Sequence, residues 1–311
     1  VSIVYDIFGT GKDVFKSSLA RYGAQSGYSM ASFVNPMGWG GIGVYWQDLN
    51  GDGVVTSNEL FGNDPDTGEL TSDITPDTIL WSWGVNVYDP TDVSAFNKID
   101  PDYNSPLLDE VTASYEKELF ADFRASLEFY YKKSHRNIRD IGMNPDGTLD
   151  SKENYYQYAT EPITGYPVYA KYNDFFYTYR TNFKKRFSEY IAGQLVLVKR
   201  LSHRWMLDAS VTLSSWKDKY NGEFIDPHNV TYYDGAANSW MNARWQVKVA
   251  GLYQFPYSIN FSMVFRAREG YVRGTYVKFP NVPNVGNRAV YGSPGGGGKY
   301  GDERLPNFYE F

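Results

Sequence analysis

One stretch of the chain has the residue types and the spacing of a metal-binding loop. The segment DLNGDGVVTSNE, residues 48–59, fits the pattern D-x-[DN]-x-[DN]-G-x5-E of calcium loops without exception. Calcium takes about six to eight oxygen ligands, and this spacing supplies them. We therefore expect one calcium ion with ligands from Asp48, Asn50, Asp52, the Val54 carbonyl, Thr56 through its hydroxyl or a water, and both carboxylate oxygens of Glu59.

The flanks of this calcium-type loop are not helical. IGVYWQ before it is strand-like, and LFGNDPDTGEL after it is rich in turn residues. A paired helix-loop-helix sensor is therefore not expected, and a bound ion would instead rigidify a long loop. The alternative interpretation is a turn rich in Asp, Asn and Gly that holds no ion.

No constellation of residues in the sequence predicts an enzyme. The three histidines, His135, His203 and His228, lie far apart and lack the spacing of a zinc site. The chain has no cysteine and no G-x-S-x-G motif. A glycosidase-type pair of loop carboxylates stays open as an alternative, but nothing singles one out. We predict that the protein is not an enzyme.

Composition argues against a nucleic-acid-binding protein and against a protein with transmembrane helices, and its aromatic content is unusually high. The 311 residues carry a formal charge of -6 and a pI near 5.2, which argues against a nucleic-acid partner. No apolar run of about 18 residues predicts a transmembrane helix. Aromatic residues make up 18% of the chain, including 28 Tyr and 8 Trp. Amphipathic rings at this density suit membrane interfaces or sugar-binding surfaces.

Tyrosines cluster in the polar stretches YYQY, residues 155–158, and VTYYDG, residues 230–235. Such rings could stack on a sugar or peptide captured outside the cell. They could equally pack among loops or form a belt at the membrane interface. The candidate ligand-binding residues are Tyr155, Tyr156, Tyr158, Tyr232 and Tyr233.

Alternation of apolar and polar residues dominates the rest of the sequence. In residues 110–133, apolar side chains take odd positions and polar side chains even ones. The same pattern recurs in residues 204–213, 244–255 and 257–266. Period two is the signature of strands, and each run reaches the roughly 9–11 residues that a tilted strand needs to cross a bilayer. Eight strands are predicted, with a possible ninth at the C-terminus.

The odd positions are expected to face lipid and the even positions a wet or plugged lumen. A secreted β-sandwich would instead sequester Leu127, Phe129, Val247 and Phe261 between two sheets. Strands of the length predicted here exceed those of most sandwiches. The expected lumen-facing residues are Arg124, Glu128, Arg204, Asp208, Arg244, Lys248 and Arg266.

Connections between the predicted strands differ sharply in length. Breaks near Phe120, Ser202 and Pro256 are very short, and apolar residues keep their parity across them. An odd loop length is therefore expected, with three or five residues rather than two. Residues 25–108, 134–188, 217–242 and 269–303 form long polar connections. Tight turns at one end and long loops at the other are typical of an outer-membrane barrel.

Four segments, taken in order, resemble the C-terminal barrel half of TonB-dependent outer-membrane receptors, nearest to the Oar-like group with a carboxypeptidase-regulatory-like domain. They are DEVTASYEKELFADFRASLEFYYKK, EYIAGQLVLVKRLSHRWMLDASVTLSSW, WQVKVAGLYQFPYSINFSMVFRAREGY and RLPNFYEF. The resemblance implies a barrel of about 22 strands closed by a plug, with uptake energised through TonB. This chain would supply about 8–10 of those strands.

On this interpretation, residues 1–311 are part of an antiparallel transmembrane β-barrel in the outer membrane of a Gram-negative bacterium. Residues 25–108 form an extracellular loop with the calcium-type loop inside it. The plug and N-terminal domains are absent from the sequence, and both ends are expected to be cuts. The partners implied are outer-membrane lipid, the plug, the remaining strands and TonB. The cargo stays open among siderophore, oligosaccharide and peptide, and the alternative function is a secreted or surface-attached, calcium-dependent glycan-binding protein.

Overall fold

The structure, a computed structural model, describes most of the chain. The described residues are 1–25, 27–35, 41–83, 85–89, 91, 97–144, 146–162, 165, 167–175, 177–223, 227, 243–272, 276–291 and 304–311. For residues 83, 276–278 and 287–291 only the backbone is described.

Strands dominate the described residues. In chain order they are β1 Ser2–Asp6, β2 Asp13–Gly23, β3 Gly41–Gly43, β4 Tyr45–Trp46, β5 Leu60–Asn63, β6 Leu70–Thr71, β7 Trp81–Trp83, β8 Lys98–Ile99, β9 Leu107–Phe120, β10 Phe123–His135, β11 Ile138–Met143, β12 Tyr155–Thr160, β13 Pro167–Lys171, β14 Tyr177–Asn182, β15 Phe187–Ser202, β16 Trp205–Lys219, β17 Trp245–Gln254, β18 Asn260–Arg268, β19 Tyr276–Val282, β20 Gly286–Tyr291 and β21 Phe308–Glu310.

Nine of these strands form one large sheet in the order β1-β2-β9-β10-β15-β16-β17-β18-β21. Every neighbouring pair in it is antiparallel. Strands β9, β10, β15 and β16 are 13 to 16 residues long. The prediction of an all-β, antiparallel fold is confirmed, and the possible ninth strand is β21.

Two of the three predicted tight turns have two residues, so the exclusion of that turn type was wrong. The β15–β16 turn consists of His203 and Arg204, both with positive φ (51° and 72°), as a type I′ turn requires. The apolar residues nevertheless stay on one face of the sheet across this turn, because a bulge shifts the register between Lys199 and Ser202. A bulge next to Phe123 does the same in the β9–β10 hairpin. The β17–β18 turn has the expected five residues.

The long connections form small sheets of their own beyond the end of the large sheet. Strands β11 and β14 pair antiparallel immediately after β10 and before β15, and β8 joins them. Strands β12 and β13 form a hairpin within the same connection, while β19 and β20 form one between β18 and β21. We call these elements, together with those between β2 and β9, the loop cap.

The buried hydrophobic cluster of the described chain lies in this loop cap rather than on the large sheet. Val168, Ala170 and Val282 are almost fully buried, although they come from two different connections. The Asn284 side-chain amide donates hydrogen bonds to the Lys171 and Tyr172 carbonyls and so joins the same two connections. The long loops are therefore packed against each other.

The described chain contains one α-helix, α1 Tyr28–Val34, which the sequence pattern did not predict. Its buried Phe33 ring lies beneath the Arg180 guanidinium, 3.8 Å from the ring centre, and Arg180 also forms a paired salt bridge with Asp140. The helix thus packs on the antiparallel pair of β11 and β14. Among the residues that the structure describes, no helix has the length and apolarity to traverse a bilayer.

Candidate functional site

The large sheet has one apolar face, made by odd-numbered residues, and one polar face, made by even-numbered residues. On the apolar face Leu127 is 60% exposed and Phe261 57% exposed. Phe129, Leu195 and Leu213 are exposed as well. Among the residues that the structure describes, no second sheet covers this face, whereas a sandwich would bury these side chains. The apolar face needs a non-aqueous neighbour other than the described chain.

A row of charges borders this apolar face at the end nearest the loop cap. Arg21, Asp109, Lys133, Glu189 and Lys217 come from five adjacent strands in direct register, so the signs alternate. Arg21 donates two hydrogen bonds to Asp109, at 2.5 and 2.9 Å. The Tyr131 hydroxyl donates to Glu189 at 3.0 Å. We call these five residues the loop-side row.

Charges border the apolar face at the end with the tight turns too. Lys117 forms a salt bridge with Asp13 at 3.0 Å, and Lys199 lies farther along the sheet. Along β15, Glu189 and Lys199 are about ten residues apart, or about 33 Å, which becomes about 25 Å at the usual strand tilt. This is the height of the apolar band in outer-membrane barrels.

Aromatic side chains gather at the turn end of the apolar face. The rings of Phe120 and Phe123 stack with centres 4.7 Å apart, and Trp205 lies 6.4 Å from Phe123. Tyr253 pairs in register with Trp205 and packs edge-on against Phe255. Tyr and Trp with one wet and one apolar side are typical of membrane interfaces.

Five of the seven predicted lumen-facing residues share the polar face of the large sheet. Arg124, Glu128, Asp208, Lys248 and Arg266 all lie at even positions of strands in register with one another. The two others lie at strand ends: Arg204 in the β15–β16 turn and Arg244 just before β17. That this polar face lines a lumen stays a prediction.

Ion pairs cover much of the polar face near β2, β9 and β10. Glu116 accepts hydrogen bonds from Lys16 at 2.7 Å and from Arg124 at 3.1 Å. Lys132 and Glu110 form a salt bridge at 2.6 Å. Sequence reasoning singled out Arg124 but not Glu116, although its even position in β9 was the signal that could have found it.

The loop end of β18 carries a compact charged cluster around Glu269. This carboxylate is buried and binds both Arg244 and Arg304. The backbone N–H of Arg244 also donates to it at 2.8 Å. Gly270 next to it admits no side chain, because a Cβ atom there would overlap the Leu305 carbonyl oxygen. Arg244 therefore has a structural partner that ties β17 to the segment before β21.

The calcium-type loop folds as a series of tight turns. The Asp48 carboxylate accepts hydrogen bonds from the N–H groups of Gly51 at 2.7 Å and Gly53 at 3.0 Å. Gly53 has φ of +70°, the conformation that the invariant glycine of such loops supplies. Asp52 accepts from the Val54 N–H at 2.7 Å. The backbone thus turns where the motif predicts.

Glu59 is fully buried and anchors the loop from its last position. Its carboxylate accepts hydrogen bonds from the Thr56 hydroxyl at 2.7 Å and from the Leu49 N–H at 3.1 Å. The Thr56 N–H also donates to this carboxylate, at 3.2 Å, as one half of a capping box on the short 3₁₀ turn Ser57–Glu59. In the other half the Thr56 side chain accepts from the Glu59 N–H. The Thr56 hydroxyl, followed by the N–H groups of Thr56 and Leu49, lowers the pKa of Glu59 although burial opposes this.

The donor set suits calcium chemically, since it consists of carboxylate, amide, hydroxyl and carbonyl oxygens. Its side chains are engaged with the loop's own N–H and O–H groups. Within the described residues, no three Asp, Glu or His side chains converge closely enough to hold an ion as they stand. Calcium binding at Asp48, Asn50, Asp52, Val54, Thr56 and Glu59 stays a prediction.

The predicted ligand-binding tyrosines divide into packed and exposed groups. The Tyr155 hydroxyl donates to Asp150 at 3.0 Å, and Asp150 also binds Lys171 at 3.1 Å. Tyr156 packs against the buried cluster of the loop cap and against Tyr172. Tyr158 is exposed. Tyr232 and Tyr233 lie outside the described residues. Two of these rings therefore hold loops together, and the ligand role stays a prediction.

Comparisons with known proteins give a distant structural likeness. No family model matches the chain, and no curated protein is similar to it in sequence. The fold is similar to that of the outer membrane transporter YddB from Escherichia coli, with a TM-score of 0.46 and 12% identity over 90% of this chain. The chain spans 29% of that transporter's length. A likeness at this distance does not indicate a function.

Proposed function

We propose that this chain forms part of the wall of an outer-membrane transport barrel. The observation that carries the proposal is the exposed apolar face, bounded at both ends by charges and at the turn end by aromatic rings. In water such a face would drive aggregation, whereas acyl chains would solvate it at no cost. The polar face would then line the passage.

The alternative glycan-binding sandwich requires a second sheet over the apolar face. Leu127 and Phe261 are more than half exposed, so the described residues provide no such sheet. The structure therefore favours the transport barrel. The sheet also has two edges, β1 and β21, and within the described residues each of these strands pairs on one side only. Further strands of the protein would cover them, because unpaired backbone groups are costly in lipid.

Spin-label accessibility along β15 tests this placement. None of the 311 residues is a cysteine, so each introduced label is unique within this sequence. Labels at Leu195→Cys and Leu197→Cys should collide with oxygen, which concentrates in lipid. Labels at Gln194→Cys and Val196→Cys should collide with a water-soluble nickel reagent. Accessibility that does not alternate with residue parity, or the opposite assignment of faces, would overturn the proposal.

We further propose that transport is driven through TonB and that a plug fills the lumen. The ordered resemblance of the strand segments to TonB-dependent receptors supports this. Siderophore, oligosaccharide and peptide cargo are all compatible with it. Cells that make the full protein should lose uptake when TonB is deleted, with the barrel still present in the outer membrane. Unchanged uptake would refute the TonB requirement and leave the barrel assignment standing.

We also propose that the loop of residues 48–59 binds one calcium ion and thereby orders the connection between β2 and β9. The motif spacing, the φ of Gly53 and the anchored Glu59 support the proposal. Binding would require the Asp48 and Asp52 carboxylates to turn from backbone N–H groups toward the ion. Millimolar calcium outside the cell would fill even a weak site.

Calorimetry on the full protein tests the calcium site. Glu59→Gln should lower calcium affinity severely, because it removes the only ligand expected to bind through two oxygens. Glu69→Gln is the matched control, since Glu69 is an exposed carboxylate in the same β2–β9 connection but outside residues 48–59. Equal affinity in the two variants would exclude residues 48–59 as the site.

A further inference from the structure

Cations accumulate on the polar face where β17, β18 and β21 meet. Lys248 and Arg266 lie directly opposite each other in the β17–β18 register. Arg268 follows two residues along β18. Like charges at directly opposed positions destabilise a sheet unless something compensates them. We call Lys248, Arg266 and Arg268 the basic patch.

The described chain compensates the basic patch only weakly. Glu310 lies 3.5 Å from Arg266, and both side chains of this pair are more than half exposed. Lys248 is exposed and has no carboxylate partner among the described residues. On the same face near β10, by contrast, Lys16 and Arg124 share Glu116. Three cations and one carboxylate leave the patch with a net charge of +2.

The basic patch lines a concave site rather than a flat surface. A cavity of about 350 Å³ is bordered by the three cations together with Gln246, Phe308 and Glu310. The Arg268 guanidinium stacks 3.6 Å from the centre of the Tyr271 ring and 5.0 Å from that of Phe308. This stacking restrains the Arg268 guanidinium at the border of the cavity.

We propose that this cavity binds a small solute with two or more negative charges, carried on phosphate or carboxylate groups. Such an anion would offset the repulsion between Lys248 and Arg266 and would receive charge-assisted hydrogen bonds from both. Gln246 adds amide donors beside Arg268. The proposal rests on the proposed function, in which the polar face lines the passage, and it assigns that passage an anionic cargo.

Binding to the full protein in detergent tests the proposal, with inorganic pyrophosphate and tricarballylate as the probes. Calorimetry in calcium-free buffer should show uptake of at least one of them, weakened by added salt. Binding of only one probe would tell phosphate from carboxylate recognition. Absence of binding by both would overturn the proposal.

Two double variants test whether the anion binds at the basic patch. Lys248→Gln/Arg266→Gln should lower the affinity by about tenfold or more, because it removes two charge-assisted contacts. Lys217→Gln/Lys219→Gln makes the same change of charge on the apolar face and should stay within about twofold of the wild type. Equal losses in the two variants would mean that only net charge matters and would refute the site.

Glu310→Gln should raise the affinity for the anion, whereas the Lys248→Gln/Arg266→Gln variant should lower it. Because Glu310 repels an anion and partly neutralises Arg266, its loss should tighten binding by a few-fold. Weaker binding in this variant would contradict the proposed pose. These outcomes are separable from the barrel assignment: failure of both probes leaves the spin-label result intact, whereas a failed spin-label pattern refutes the barrel whatever the anions do.

Discussion

Replacing Leu195 by arginine distinguishes a lipid-facing sheet from a sheet that is merely exposed to water. Leu195 lies on the apolar face, about six residues from Glu189 and four from Lys199 along β15. At about 3.3 Å per residue and a tilt of about 40°, it sits about 15 Å and 10 Å from the two charged borders. It is therefore near the middle of the proposed hydrocarbon band.

The depth of Leu195 in the band determines how much stability the arginine should cost. An arginine at the bilayer midplane on the lipid face of a barrel costs about 2–4 kcal/mol. The same substitution at an exposed surface position in water changes stability by about 0.5 kcal/mol or less. Gln194→Arg is the matched control, because Gln194 lies one residue away, at the same depth, on the polar face.

Urea titrations of the full protein in phospholipid vesicles provide the measurement. Leu195→Arg should lower the free energy of unfolding by about 2–4 kcal/mol, and Gln194→Arg by less than about 1 kcal/mol. If both variants cost the same small amount, Leu195 does not face lipid and the membrane placement of the large sheet is wrong.

Three further predictions concern the loops. Because the folded pKa of Glu59 lies below its ordinary value of 4.5, the carboxylate stabilises the loop above that pH and loses this effect as the pH falls through the lower folded value. Hydrogen exchange at the Leu49 amide should accelerate over that range in the wild type and be pH-insensitive, apart from intrinsic exchange, in Glu59→Gln. Val168→Ala should destabilise the loop cap by about 1–3 kcal/mol, seen as faster proteolysis at β12–β13 with the large sheet still resistant. Gly270→Ala should cost about 1–3 kcal/mol or more in unfolding titrations because of its overlap with Leu305, whereas Gly193→Ala, with open space around it, should be near neutral.

The large sheet was predictable because strand alternation is a local property. Odd positions such as Leu127 and even positions such as Arg124 must point to opposite faces once the chain is extended. The same logic predicted the shared face of Lys248 and Arg266. It failed for the β9–β10 and β15–β16 turns, because a bulge changes parity just as an extra loop residue does, and parity alone cannot tell the two apart.

The calcium-type loop shows a different limit. Its spacing predicted the sharp turn at Gly53, since fixed offsets determine backbone conformation locally. The engagement of Glu59 with Thr56 and Leu49 was not readable, because side-chain partners depend on how the loop closes on itself. The packing of Tyr156 depended likewise on a distant segment, because the cluster that it contacts includes Val282 from another connection.

The sequence by itself determined an antiparallel sheet with one apolar and one polar face, and a loop with calcium spacing. Only the tertiary structure decided that the described residues leave the apolar face uncovered and that the buried cluster around Val168 and Val282 lies in the loop cap. It also decided that charges from five strands align in one row. Alternation follows from the two-residue repeat of an extended backbone, which any short segment carries. Registers and loop contacts join residues from separate segments, such as Arg21 with Asp109 and Val168 with Val282, and no local pattern encodes them.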